Sequence, residues 1–283
     1  MLRAAYRLIS QTASRAVQRQ RYLRTGQRPW TSGYWDYRQD FIRSVLADPG
    51  LGEQFRPGQQ LRQGYGVRLD ERVVEYPWLV SRLAPAPSLL MDAGSALNHG
   101  FLLSHPALSQ KTIVIYNLAP EGTVSRPNVS YIYGDLRQTI LKDQICDEVA
   151  CISTLEHVGM NNRQLYTRDN RYDESRPSDY RTVMRELRRV LVPGGRLLLT
   201  VPYGKYQNFG WMQQFDGELL ADAVRAFDGT LEEQTFYRYT PGGWVLADAA
   251  ECAGDEYYDI RAARHYDPDY AAAARAVACL VLS

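Results

Sequence analysis

The stretch Glu186–Pro202, ELRRVLVPGGRLLLTVP, sets a helix end, a turn and an apolar strand in immediate succession. Upstream, Val183, Met184, Leu187, Val190 and Leu191 recur at helical spacing, so a helix is expected over 178–191 with Ser178 as its N-cap. Pro193-Gly194-Gly195 stops that helix, and Arg196–Val201 then reads as a buried strand. A helix handed through a tight turn into an apolar strand is the unit from which a parallel sheet covered on both faces is built.

Working outward, runs of strand length appear at Ser88–Asp92, Thr112–Asn117, Ser130–Tyr133 and Glu148–Ser153. Downstream, Phe236–Tyr239 and Gly243–Leu246 flank Pro241-Gly242 as a hairpin, and Ala276–Leu282 makes an apolar last strand. The expected fold is α/β, a Rossmann-like, doubly wound and mostly parallel sheet carrying an N-terminal helical arm and a cap. The proline-rich Ala84–Ser88 marks a boundary. Three parts follow: a basic amphipathic arm over 1–34, a cap or connector over 35–88, and the sheet domain over 89–283.

Charge and composition narrow the function. The 283 residues hold 33 Lys+Arg against 32 Asp+Glu, which excludes a polybasic nucleic-acid binder. Residues 1–28 contain seven arginines and no acid, leaving 26 basic residues against all 32 acidic ones in the rest of the chain. Leu2, Tyr6, Ile9, Ala13 and Val17 share one helical face, so this arm reads as a peripheral contact with an anionic membrane surface, an organellar presequence, or a helix packed on the body. No apolar run approaches the roughly 18 residues of a spanning helix. Cys146, Cys151, Cys252 and Cys279 form no C-x-x-C pair, and no His/Asp/Glu cluster has metal-ligand spacing, so no metal is expected. A cytoplasmic setting, peripheral at the membrane if the arm binds it, is the expectation.

The loop after the first strand, LLMDAGSALNHG at 89–100, places small residues where a doubly wound sheet binds its ligand. It lacks the G-x-G-x-x-G and P-loop spacings. Taken with YIYGDLRQTI, DEVACISTLEHVGM and the opening stretch, all in order over 89–202, it resembles the class I S-adenosylmethionine-dependent methyltransferases. That resemblance implies S-adenosyl-L-methionine as cofactor and a seven-stranded sheet. By position it implies a cofactor site from Asp92, Ala93, Gly94 and Ser95 after the first strand and Asn117 at the end of the second, with Glu121 as a fallback. Asp135 and Leu136 would hold the adenine, and Ser153 and Thr154 close the fourth strand. The loop departs from the family's glycine-rich form at Ala96 and Asn98, and Asn117 stands where an acid is usual. A looser resemblance, carried by STLEHVGM, VPYGKYQNFGWMQQFD and AAAARAVACLVL, is to methyltransferase-like proteins of polysaccharide and glycoconjugate biosynthesis of the DUF268 type.

Methyl transfer to a hydroxyl needs a base, and His157 beside Glu156, just beyond the fourth strand, is the candidate pair. His99 follows the first loop and is a second histidine that would face the cofactor. The polar insertion 161–179 reads as a lid whose Arg163, Arg168, Arg171 and Arg176 either grip an acceptor anion or pair with Asp169, Asp173 and Glu174. Tyr203, Lys205, Gln207, Trp211, Gln214 and Asp216 combine aromatic faces with amides and a carboxylate, a set suited to a saccharide. The resulting expectation is O-methylation of a sugar hydroxyl on a nucleotide sugar or glycoconjugate precursor. Its rivals are N- or C-methylation of another small metabolite and an inactive cofactor-binding scaffold.

Overall fold

The computed structural model describes residues 17–85, 87–166 and 169–283. The arm positions Leu2, Tyr6, Ile9 and Ala13, and Arg168 of the lid, lie outside them.

The eight-stranded sheet has the order β3-β2-β1-β4-β5-β10-β8-β9. Strands β1 (Leu89–Ala93), β2 (Thr112–Asn117), β3 (Val129–Tyr133), β4 (Cys146–Ile152) and β5 (Leu191–Pro202) are parallel. Strand β10 (Ala276–Leu282) runs antiparallel between β5 and β8 (Leu231–Thr240), and β9 (Gly243–Ala247) closes the edge as the return arm of the expected hairpin. That arm makes the sheet one strand wider than the seven expected. A two-stranded ribbon, β6 (Gln207–Asn208) and β7 (Gln213–Gln214), stands apart. The sheet's order reverses between β1 and β4, which opens a crevice at their carboxyl ends.

The opening stretch folds nearly as read. The helix here, α7, spans Tyr180–Val190 and starts after Asp179 rather than at Ser178, which caps nothing. Pro193-Gly194-Gly195 is not a free turn. Leu191 already pairs with Cys146, and the register then shifts before Glu148 meets Arg196, with Gly194 at φ +77° absorbing the irregularity.

Alternation along the strands divides the core into two layers. Met91, Ala93, Val149, Cys151, Leu197 and Leu199 face α7 and α8 (Gly217–Phe227). Leu90, Ile113, Ala150, Ile152 and Leu198 face the other way. The β1–β2 crossover there holds only two four-residue helices, α5 (Gly100–Leu103) and α6 (Pro106–Ser109), too little to cover a sheet face. The N-terminal segment covers it: α1 (17–24), α2 (Tyr34–Leu46), α3 (Leu51–Gln54) and α4 (Arg72–Arg82) bring Tyr34, Val45, Phe55, Val73, Trp78 and Leu79 into the same hydrophobic cluster as the strands. A short α9 (Ala249–Cys252) follows β9. Part of the basic arm therefore packs on the body: Tyr22 of α1 is buried against Tyr34 and Tyr37, while Val17, read on the apolar face, is exposed.

Helix α4 carries Pro77 in its interior, which leaves the Val73 carbonyl without its helical donor. The Tyr65 hydroxyl donates to that carbonyl at 2.6 Å. At the far end of the sheet the buried Lys111 ammonium binds Glu148 at 2.6 Å, Ser88 at 2.7 Å and the Ala84 carbonyl at 2.7 Å. Those bonds fix the link between α4 and β1.

Candidate active site

A cavity lies over the carboxyl ends of β1, β2, β3 and β4, the place that the strand order reserves for a ligand. Gly94, Asn117, Leu118, Asp135, Leu136 and Thr154 line its strand side. His157, Val158, Asn162, Tyr166 and Glu174 line the other. Of the residues expected to bind a cofactor, Gly94, Asn117, Asp135, Leu136 and Thr154 come together here.

Gly94 has φ +105°, and a Cβ there would collide with the hydroxyl and methyl of Thr154, so only glycine lets β1 and β4 loops meet. Leu118, Leu136, Val158 and Tyr166 make an apolar slot. Asp135 sits at its rim with 39% of its side chain accessible, although Arg137 grips it through Nε at 3.0 Å to both oxygens. Burial would raise its pKa, but the Arg137 bonds win and hold it below the ordinary value. Arg137 also binds Asp179 at 2.6 Å and Glu174 at 3.0 Å, so its charge is satisfied within the protein.

Several expected ligand contacts serve the fold instead. Asp92 is fully buried on the α4 side of β1, and its oxygens accept from the amides of Ala96 at 3.1 Å and Leu97 at 2.8 Å. It braces the loop and is not among the residues lining the cavity, and burial raises its pKa to about 7 despite those bonds. Ala93 is core, and the Ser95 hydroxyl is bonded to Glu121, the fallback residue, on the loop's outer side. The Asn117 amide is largely used: its oxygen accepts from the Leu118 amide at 3.0 Å and its nitrogen donates to Ala119 at 3.1 Å. Ser153, at φ +40°, turns its hydroxyl away to Glu75 at 2.6 Å. His99 does not line the cavity; it stands between Tyr76 and Phe101.

The described lid arginines, Arg163, Arg171 and Arg176, pair within the lid, the second of the two readings. Arg163 meets Asp173 at 3.4 Å, Arg171 meets Asp169 at 2.7 Å, and Arg176 meets Glu174. The segment roofs the slot with Tyr166, and Asn162 pins it by donating to the His157 carbonyl at 2.8 Å.

His157 stands at the cavity's edge with 22% of its side chain accessible. Its Nδ1 lies 3.0 Å from the Trp211 carbonyl, which can only accept, so Nδ1 carries the proton and Nε2 presents a lone pair. Burial lowers its pKa to about 4; the carbonyl bond opposes this, and the Arg72 and Arg261 charges add to it. The imidazole is neutral at pH 7. Glu156 is buried behind it, with Oε1 3.8 Å from Nε2 and Oε2 unpartnered among the described residues. Burial pushes its carboxyl well above the usual range.

Of the saccharide set only Trp211 adjoins His157, with ring centres 5.3 Å apart and Arg261 stacked on its ring at 4.2 Å. Tyr203 is core against Phe236. Gln214 is fully buried and donates to the carbonyls of Lys205 and Asp255 at 2.9 and 2.7 Å. Asp216 caps α8 by accepting from the Leu219 amide at 2.9 Å. Lys205 is an exposed partner of Glu256, and Gln207 pairs with Gln214 in the ribbon.

The sequence reading missed the contribution of α4. Glu71, Arg72, Glu75 and Tyr76 occupy one side of that helix beneath the site. Their spacing in the segment ERVVEY, with Arg72 and Glu75 at i and i+3 around two valines, was the signal available.

Residues 109–199 match the family model described as a methyltransferase domain. No curated protein matches the chain. Solved structures similar to it include a complex containing the Trm112 methyltransferase activator of Haloferax volcanii, at 14% identity and TM-score 0.47 over 85% of this chain and 96% of that one. The YcgJ protein of Bacillus subtilis is similar at 12% identity and TM-score 0.45 over 74% and 97% of the two chains. So is a 1,6-didemethyltoxoflavin-N1-methyltransferase of Burkholderia thailandensis with bound S-adenosylhomocysteine, at 14% identity and TM-score 0.42 over 91% and 95%. The chain carries the domain of an S-adenosylmethionine-dependent methyltransferase, with S-adenosylmethionine as cofactor. The residues present fit that group: apolar Leu118, Leu136, Val158 and Tyr166 with the carboxylate of Asp135 at the rim, and Gly94, Thr154 and His157 in the same lining.

Proposed function

We propose that this chain methylates a hydroxyl of a small ring-containing acceptor and that His157 takes the hydroxyl proton. The observation that carries the reading is the locked tautomer of His157, a residue that lines the cavity and whose Nδ1 is held by the Trp211 carbonyl, leaving Nε2 as the nitrogen able to accept. When bound, the cofactor supplies a methyl carbon on a sulfonium. Leu136 and Tyr166 would enclose its adenine, Asp135 would accept from the exocyclic amine, and Gly94 and Thr154 would flank its sulfur end. The bound cofactor would supply the methyl group and leave as the neutral thioether, and His157 would take the acceptor's hydroxyl proton at Nε2. Nε2 is a weak base, so it takes the proton only as bond formation acidifies the hydroxyl.

Trp211 supports a ring acceptor, whose face it would stack against. The saccharide reading rests on that one side chain. We expect His157→Gln to bind S-adenosylhomocysteine like the parent while losing about 100-fold or more in turnover, measured on nucleotide sugars and on phenolic acceptors. Unchanged turnover in the variant would remove His157 from the reaction.

The arginine-rich arm is consistent with contact to an anionic membrane surface. Salt-sensitive binding to phosphatidylserine vesicles that disappears on removing residues 1–16 is the expected result.

A further inference from the structure

Among the described residues the cavity has one arginine in its lining, Arg137, and three carboxylates already hold it. A cofactor whose amino-acid end carries a carboxylate must find another partner. Arg72, at the start of α4, is placed to provide it. Its Nη1 donates to Glu75 at 2.5 Å, and Glu75 in turn accepts from Ser153 and from Thr200, each at 2.6 Å. Glu75 is fully buried, so this chain of bonds fixes the guanidinium against the ends of β4 and β5, one residue from Thr154 in the cavity wall. The guanidinium also lies 5.8 Å from the Tyr76 ring, which meets the ring of His99 beyond the β1 loop. Arg72 thus stands behind the cavity wall at the end of β4, joined through Glu75 to Ser153, the neighbour of the lining residue Thr154. Its charge is felt at both Asp92 and His157. It keeps 22% of its side chain accessible, and Glu75 takes only one of its five donors.

We propose that Arg72 binds the carboxylate of the cofactor's amino-acid end, with Glu75 as the residue that positions it. The proposal rests on the cofactor reading of the cavity. It makes the N-terminal segment part of the cofactor site, which explains why a pair of opposite charges is kept buried between α4 and the sheet.

The test compares two probes by calorimetry: S-adenosylhomocysteine, which carries the carboxylate, and 5′-methylthioadenosine, which has the adenosine and sulfur without it. Arg72→Gln is expected to weaken S-adenosylhomocysteine roughly 10- to 100-fold, the loss of one charge-assisted pair, and to leave methylthioadenosine within about twofold. Arg72→Lys should recover part of the loss. Methylthioadenosine binding also reports that each variant is folded. Equal binding of S-adenosylhomocysteine by parent and Arg72→Gln would overturn the proposal and leave the cofactor reading intact. Failure of the folded parent to bind either probe would overturn both.

Discussion

At the scale of single residues, the chain repeatedly uses a side chain to satisfy a backbone group that the sequence itself has orphaned. Tyr65 replaces the donor missing at Pro77, and Asp92 replaces the donors' partners in the β1 loop. Tyr65→Phe keeps the ring but strands the buried Val73 carbonyl, and a loss of about 1–3 kcal/mol is expected by urea unfolding. A change below a few tenths of a kcal/mol would show that water reaches that carbonyl. The His157 assignment makes a second prediction at this scale. With its pKa lowered to about 4, the acid limb of the kcat/KM profile should fall near pH 4 and not near 6.5. Below that limb Nε2 is protonated and cannot accept; above it the base is fully available.

At the scale of elements, the loops after the strands make the site and the segment 161–179 closes it. Gly159 is the joint between them: at φ +71° it meets the Arg176 carbonyl, which a Cβ would strike, and it accepts from the Arg176 amide at 2.7 Å. Gly159→Ala should therefore unseat the lid without touching the sheet. The expected outcome is weaker S-adenosylhomocysteine binding with a melting temperature lowered by only a few degrees, about 1 kcal/mol at this chain length. An intact affinity would mean that the lid contributes nothing to the bound state.

Across the whole molecule, buried titratable groups between α4 and the sheet tie stability to pH. Burial raises Asp92 to about 7 and Glu71 to about 8, and it raises Glu156 as well, so the folded state holds protons that the unfolded chain releases near pH 4. His99 and His157, lowered to about 4 chiefly by burial, act oppositely: their neutral folded forms gain stability as pH rises from about 4 to 6.5. Above 6.5 only the carboxyls still titrate. Stability should thus decline from pH 6.5 to about 8, and Glu71→Gln should flatten that decline. A melting temperature that is constant or rising across the window would contradict the burial of these groups.

The strands were legible because each is an apolar run with turn residues at its ends, and burial on both faces leaves that mark locally. Even there the local signal failed where pairing decides: Leu191 joins β5 across Pro193-Gly194-Gly195 because Cys146 offers it a partner. Gly94 and His157 were legible from their place just past strand ends, where a doubly wound sheet must open, whereas Asn117, Asp135, Leu136 and Thr154 of the cavity lining came from the family resemblance of their motifs. Gln214, Asp216 and Tyr203 were misplaced because an amide, a carboxylate or a phenol reads alike whether it meets a ligand or a backbone group. What the sequence determined by itself is the periodic part: the sheet, its helices and the edge where a ligand binds. Only the tertiary structure decided which charges enter the site, since Glu75 meets Thr200 across 125 residues and no local pattern records a partner that distant.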